Sequence, residues 1–151
     1  MIQAQLSYED IDDPDPWLTY LPDKLNSIFQ HKIWKKFDSN SVVSIAFIHD
    51  NHMKELNNQY RKKNKATDVL SFPIMEKNPE SFMIGEIIIS LDKARVDAKE
   101  LGISLENEIF RLIVHGLLHL LGYDHNNDLE EKEMKSMEKN FLHRLTFLEG
   151  V

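Results

Sequence analysis

One apolar segment, residues 105–121, constrains the fold of this chain more than any other feature. Its apolar side chains fall on nearly every side of a helix: Leu105, Ile109, Phe110, Leu112, Ile113, Val114, Leu117, Leu118 and Leu120. A helix that is apolar all round lies in the centre of a domain, covered by other elements. Ser104 is placed to cap its start, and Gly122 is placed to end it. The sequence therefore predicts a fold built around a central buried helix.

Alternating and β-branched patterns predict strands around that helix, and apolar stripes with a helical period predict further helices. We expect strands at residues 2–8, 42–48, 69–73 and 84–90, the last two as a hairpin, and helices at 17–29 and 92–101. A further helix is expected to start after an N-cap at Asp50 or Asn51 and to end in the basic run at residues 61–65. A last helix starts near Asp128, where Asp128 and Glu131 have the form of a capping box. No repeat or linker interrupts the chain. We therefore expect a single α+β domain over residues 1–151, with a small mixed β-sheet packed with helices around the central apolar helix.

The composition restricts any metal site to histidine and carboxylate ligands. The chain has no cysteine, which excludes disulfides and every cysteine-bound zinc site. Hydrophobic residues make up 42% of its 151 residues, so a metal is not needed to supply a core. The sequence contains no recognisable signal peptide and no apolar run long enough to span a membrane. We expect a cytoplasmic protein that has no membrane partner.

Three histidines, His115, His119 and His125, lie at the end of the central helix. His115 and His119 are four residues apart, so their side chains share one helical face and can meet at one ion. Gly122 permits a sharp turn, which can bring His125 to the same ion. A single histidine in an apolar helix is usually a satisfied core residue, but two at this spacing are harder to explain in that way, because each buries a polar ring that needs a partner. Three protein ligands leave a fourth position for water, as in catalytic zinc sites, although nickel or copper would also bind three imidazoles.

Gly116 argues against one common hydrolase mechanism. Zinc proteases with the H-E-x-x-H motif carry a glutamate, the general base, directly after the first histidine ligand. Here that position is Gly116, so a peptidase mechanism of that type lacks its proton acceptor. Asp124 is nearby in sequence, but its plainer role is to orient a histidine or to cap the turn.

The charge distribution leaves the nature of the partner open. The net charge of −7 argues weakly against nucleic acid, because phosphate contacts need clustered lysine and arginine. One compact basic run, Arg61-Lys62-Lys63-Asn64-Lys65, opposes that trend. From the residues alone this run is either a solvated helix end, which the helix dipole favours, or a surface for phosphates.

Several segments together resemble one family, the YbeY-type endoribonucleases. Residues 115–125 resemble its H-G-x-L-H-L-x-G-Y-D-H signature. Residues 56–61 and 65–73 resemble its L-N-x-x-Y-R and K-x-T-D-V-L-S-F-P elements, and residues 85–90 resemble G-D-I-x-I-S with Glu86 in place of the aspartate. These motifs occur in the same order and cover roughly residues 45–125. The combination is highly specific.

The resemblance implies an α+β fold distantly like that of zinc proteases, with Zn²⁺ on His115, His119 and His125. It implies single-strand-specific RNA cleavage in maturation of the 16S ribosomal RNA 3′ end and in quality control of the small ribosomal subunit. Expected partners are ribosomal RNA, the small subunit, ribosomal proteins and assembly GTPases. A functional arginine is implied at Arg61, which we expect to bind the scissile phosphate; a surface ion pair is the alternative. Two other functions stay open: a metal-dependent hydrolase of peptides or small molecules, and a non-catalytic ribosome assembly factor.

Overall fold

A computed structural model describes residues 2–9, 17–61 and 67–149, with helices and strands close to those expected. In chain order the elements are β1 (Gln3–Tyr8), α1 (Trp17–Phe29), a short 3₁₀ helix (Lys32–Lys36), β2 (Ser41–Ile48), α2 (Asp50–Arg61), β3 (Val69–Lys77), β4 (Phe82–Ser90), α3 (Leu91–Leu101), α4 (Leu105–Leu120) and α5 (Asp128–Glu149). The α+β class is confirmed.

The four strands form one mixed sheet in the order β1-β2-β4-β3. β1, β2 and β4 are parallel, whereas β3 runs antiparallel to β4 as the expected hairpin. β2 is buried along most of its length, as its continuous β-branched sequence predicts. β3 and β1 are the edge strands of this sheet.

β3 is longer than its sequence suggests. The expected strand ended at Pro73, but the observed strand continues to Lys77. Proline is tolerated here because β3 is an edge strand, so its missing N–H need not pair with a further strand. The register to β4 shifts between Pro73 and Glu76, and Met75 within that bulge has a φ of 52°. A bulge of this kind bends the strand and redirects its side chains.

The central helix is confirmed as α4, which is buried along its length. It packs on one face of the sheet, where residues of β2 and β4, including Ile45, Phe47 and Ile87, join α1, α3, α4 and α5 in the main core. α2 lies on the other face of the sheet, over a smaller cluster formed by Ile48, Met53, Leu70 and Ile88. Helices therefore cover one face of the sheet extensively, whereas α2 covers the other face only in part.

The helix ends follow the expected chemistry with one correction. Ser104 Oγ accepts the Asn107 N–H at 3.1 Å and caps α4, and Gly102 ends α3 with a φ of 70°. The capping box of α5 was expected at Asp128 and Glu131. The residue that caps α5 is instead Asn127, whose Oδ1 accepts the Glu130 N–H at 2.9 Å. Both acids of the expected box lie inside the first turn, where they still favour the helix dipole.

In the part of the chain that the structure describes, none of the helices is both long and apolar enough to cross a membrane.

Candidate metal centre

The last two turns of α4 bring two imidazole rings together. The Nε2 atoms of His115 and His119 lie 3.0 Å apart, and their ring centroids are 4.5 Å apart. Two nitrogens bound at about 2.0–2.1 Å to one tetrahedral ion are separated by about 3.3–3.4 Å. The observed separation is within a few tenths of an ångström of that value. The helical spacing therefore brings the two Nε2 atoms together, as the sequence predicts.

The chain turns back after α4 and carries His125 towards this pair. Gly122 has a φ of 97°, and its N–H donates to the His119 carbonyl at 3.0 Å, while the Tyr123 N–H donates to Leu118 at 3.0 Å. This glycine-terminated turn leaves the His125 ring centroid 6.0 Å from that of His119. His125 is 60% exposed, so its ring faces solvent on one side. The turn that the sequence predicts at Gly122 is present.

His125 stands slightly apart from the other two rings. Among the described residues, no group of three or more histidine, cysteine, aspartate or glutamate side chains is arranged closely enough to hold a metal ion. The donor set still suits zinc, because two imidazoles converge and the third follows within one short turn. Metal binding by the three histidines stays a prediction.

Glu138 on α5 supports the histidine pair, and sequence reasoning missed it. Its Oε1 lies 3.3 Å from the Nδ1 atom of His115, and both side chains are about one-third exposed. A carboxylate on the far nitrogen of a histidine fixes the tautomer and orients the ring, so that Nε2 presents its lone pair outward. The two residues are 23 positions apart, and no local pattern predicts which turn of α5 packs beside His115.

The surroundings of His119 favour its neutral form by lowering its pKa. Burial, together with the neighbouring His115, lowers the pKa of His119 below its ordinary value. A neutral imidazole has the free lone pair that metal binding requires. Asp124 accepts the His125 backbone N–H at 2.8 Å and the Asn126 side-chain N–H at 3.0 Å, and these hydrogen bonds lower the pKa of its carboxyl group. Asp124 thus caps the turn, which is one of the two plainer roles expected for it.

Gly116 faces the sheet and not the histidines. A Cβ atom at this position would lie 2.9 Å from Ile87 Cγ2. The position after the first histidine therefore lies in the packed interface between α4 and β4. A longer side chain would have no room there. The close packing against Ile87 thus disfavours a glutamate at this position, where a zinc protease would carry its general base.

The remaining residues singled out from the sequence lie on or beside α2 and β3. Arg61 is the last residue of α2; its side chain, and all of Lys62, Lys63 and Lys65, lie outside the described residues. Thr67 and Asp68 shape the entry to β3, where Asp68 Oδ1 accepts the Val69 N–H at 2.8 Å. Ser71 is part of β3 itself.

Fold and site together define a class: a small α+β protein with two converging imidazoles at the end of a buried helix. The family model for the endoribonuclease YbeY matches residues 17–146. An endoribonuclease YbeY of Aquifex aeolicus is 47% identical over 109 residues, covering 72% of this chain and 73% of its own. The endoribonuclease YbeY of Staphylococcus carnosus is 40% identical over 114 residues, covering 72% and 74%.

A solution structure of a Thermotoga maritima protein matches with a TM-score of 0.63 and 29% identity, covering 96% of this chain and 89% of the other. The chain belongs to the endoribonuclease YbeY family. It is an endoribonuclease, a hydrolase that acts on the phosphodiester bonds of RNA.

Proposed function

We propose that this chain is a zinc-dependent, single-strand-specific endoribonuclease that matures the 3′ end of 16S ribosomal RNA and takes part in quality control of the small ribosomal subunit. It acts as a single hydrolase domain in the cytoplasm, with ribosomal proteins and assembly GTPases as further partners. The observation that carries the zinc site is the 3.0 Å approach of the His115 and His119 Nε2 atoms, with His125 on the following turn.

The three imidazoles would hold the ion, and Glu138 would hold His115 in the required tautomer. When bound, zinc supplies Lewis-acid chemistry: it lowers the pKa of water and polarises a phosphoryl oxygen. Arg61 would bind the scissile phosphate and offset the negative charge that develops in the transition state. Lys62, Lys63 and Lys65 would add attraction to the RNA backbone without sequence preference.

The nucleophile distinguishes two versions of this mechanism. If water attacks phosphorus, the products carry no cyclic phosphate; if the RNA 2′-hydroxyl attacks, they do. Analysis of the cleaved 3′ ends decides between them.

The experiment compares single-stranded RNA, duplex RNA and casein as substrates of the zinc-loaded protein. We expect cleavage of single-stranded RNA only, and its loss in the His119→Ala variant with the circular-dichroism spectrum retained. His143→Ala is the matched control, because His143 is exposed on α5, and it should cleave like the wild type. Release of peptides with intact RNA would support the peptidase alternative. Normal ribosomal RNA processing by a folded, metal-free His119→Ala protein would instead support a non-catalytic assembly factor.

A further inference from the structure

A groove lies on the face of the sheet opposite α4, where α2 covers the strands only in part. It has a volume of about 430 Å³. Its walls come from α2, β2, β3 and β4, and they are mostly apolar, with Leu56, Tyr60, Phe72, Ile74, Glu86 and Ile88 among the lining residues. This groove plays no part in the metal centre, since the histidine pair belongs to the helix on the other face.

Glu86 is the chemically distinctive residue of the groove. Its side chain is half-buried, and its carboxylate has no hydrogen-bond or ion-pair partner among the described residues. His52, which also lines the groove, is already paired with Glu9. A carboxylate among apolar side chains loses hydration unless a donor satisfies it. The groove is therefore suited to an occupant that is flat or apolar and carries hydrogen-bond donors.

Tyr60 provides a flat surface at the mouth of the groove. Its side chain is 58% exposed, and its ring centroid lies 5.1 Å from that of Phe72. Exposed aromatic rings of this kind stack with unpaired bases of single-stranded RNA.

The bulge in β3 shapes the same wall. Ile74, which lines the groove, directly precedes Met75 with its φ of 52°. A positive φ at a residue other than glycine is strained, and such strain is concentrated at functional positions. Here the bulge follows Phe72, which with Tyr60 forms the aromatic part of the groove lining.

We propose that this groove binds one guanine base of the RNA substrate, an inference that rests on RNA cleavage by this chain. Guanine stacks on Tyr60 and donates its adjacent N1–H and N2–H groups to the Glu86 carboxylate. Adenine and cytosine each offer only one donor group, the exocyclic amine. In uracil the single N–H lies between two carbonyl oxygens, which repel a carboxylate. Because the histidine pair lies on the other face of the sheet, this base belongs to a nucleotide that neighbours the scissile bond and does not itself lie against the metal centre.

The test measures binding of fluorescein-labelled uridine heptamers with guanine, adenine, cytosine or uracil at the central position. Fluorescence anisotropy follows the full-length protein, and a gel confirms that each oligonucleotide stays intact. We expect the guanine heptamer to bind about tenfold more tightly than the uracil heptamer, as one two-bond base contact provides. In Glu86→Gln the preference should fall below about twofold. Glu55→Gln, the same change at an exposed position of α2, should keep it.

Equal affinity of the wild type for all four heptamers, including no binding at all, overturns the inference and leaves the groove to a protein partner that presents lysine or arginine. A guanine preference that survives in Glu86→Gln also overturns it. The outcome is independent of catalysis: a protein that prefers guanine but cuts no RNA contradicts the proposed function alone. A protein that cuts RNA without this preference contradicts only the guanine site.

Discussion

The contact between His115 and Glu138 predicts a measurable effect on metal affinity. Removing a carboxylate that orients a metal-binding histidine typically weakens metal binding by about 10–100-fold. We expect this loss for Glu138→Ala, measured by competition with a chromophoric zinc chelator. Glu100→Ala, at an exposed position of α3, is the control and should bind zinc like the wild type. Unchanged affinity in Glu138→Ala would show that the carboxylate does not support the site.

His31 predicts how stability depends on pH. Burial, helped by Arg144 and Lys32, lowers the pKa of His31, and its Nδ1 accepts the Ile33 N–H at 3.0 Å. The unfolded chain, with an ordinary histidine pKa of about 6.5, therefore takes up this proton first as pH falls. The stability that the neutral His31 provides above about pH 6.5 is therefore lost as pH falls from that value towards the lower pKa of the folded state.

The variant His31→Asn keeps a capping acceptor but does not titrate. Urea unfolding at about pH 7.5 and about pH 5.5 should show a smaller loss of stability for this variant than for the wild type. His143→Asn, exposed on α5, should lose as much as the wild type. An equal loss in His31→Asn would assign the pH dependence to other groups.

At the level of elements, two glycines let α4 lie close to the sheet. A Cβ at Gly85 would lie 2.5 Å from Leu120 Cδ2 and 2.7 Å from the Phe72 carbonyl oxygen, whereas at Gly116 the nearest atom belongs to the Ile87 side chain. Overpacking costs about 1–3 kcal/mol, and in a helix alanine recovers about 1 kcal/mol over glycine. We expect Gly85→Ala to lower the free energy of unfolding more than Gly116→Ala, because a backbone oxygen cannot move aside. Urea denaturation measures both, and the reverse order would contradict this packing.

Elements with strong local signals could be predicted from the sequence. The central helix, its serine cap and its glycine end follow from side-chain chemistry within a few residues. The sequence predicts that β3 ends at Pro73, because the edge position that tolerates proline depends on strand order, which no local pattern reveals. The sequence predicts the cap of α5 one residue late, since asparagine and aspartate both serve as caps and only the backbone geometry selects Asn127.

The candidate site was only partly predictable for the same reason. His115 and His119 meet because helical geometry brings residues four apart together, and a sequence shows that spacing directly. Glu138 reaches His115 only through packing of α4 against α5. Glu86 lies in the groove because of the strand order and the position of α2 over the sheet. Contacts between distant elements carry no signal in a single sequence.

For the whole molecule, the size of the apolar core predicts that the fold does not depend on metal. The buried residues of the main core join α1, α3, α4 and α5 to β2 and β4 without using the histidine side chains. We expect the chelator-treated protein to keep its helical circular-dichroism spectrum and to unfold cooperatively. Added zinc should stabilise it by about 4 kcal/mol at a thousandfold excess over the dissociation constant. A chelated chain that lacks helical structure would contradict this separation of fold and site.

Metal content of the untagged, full-length protein tests the three-histidine site most directly. Elemental analysis should find about one zinc ion per chain in the wild type. The metal should be lost from each of His115→Ala, His119→Ala and His125→Ala, while His143→Ala keeps it. A wild-type protein that binds no transition metal, or a His125→Ala protein that retains its full complement, would contradict the site.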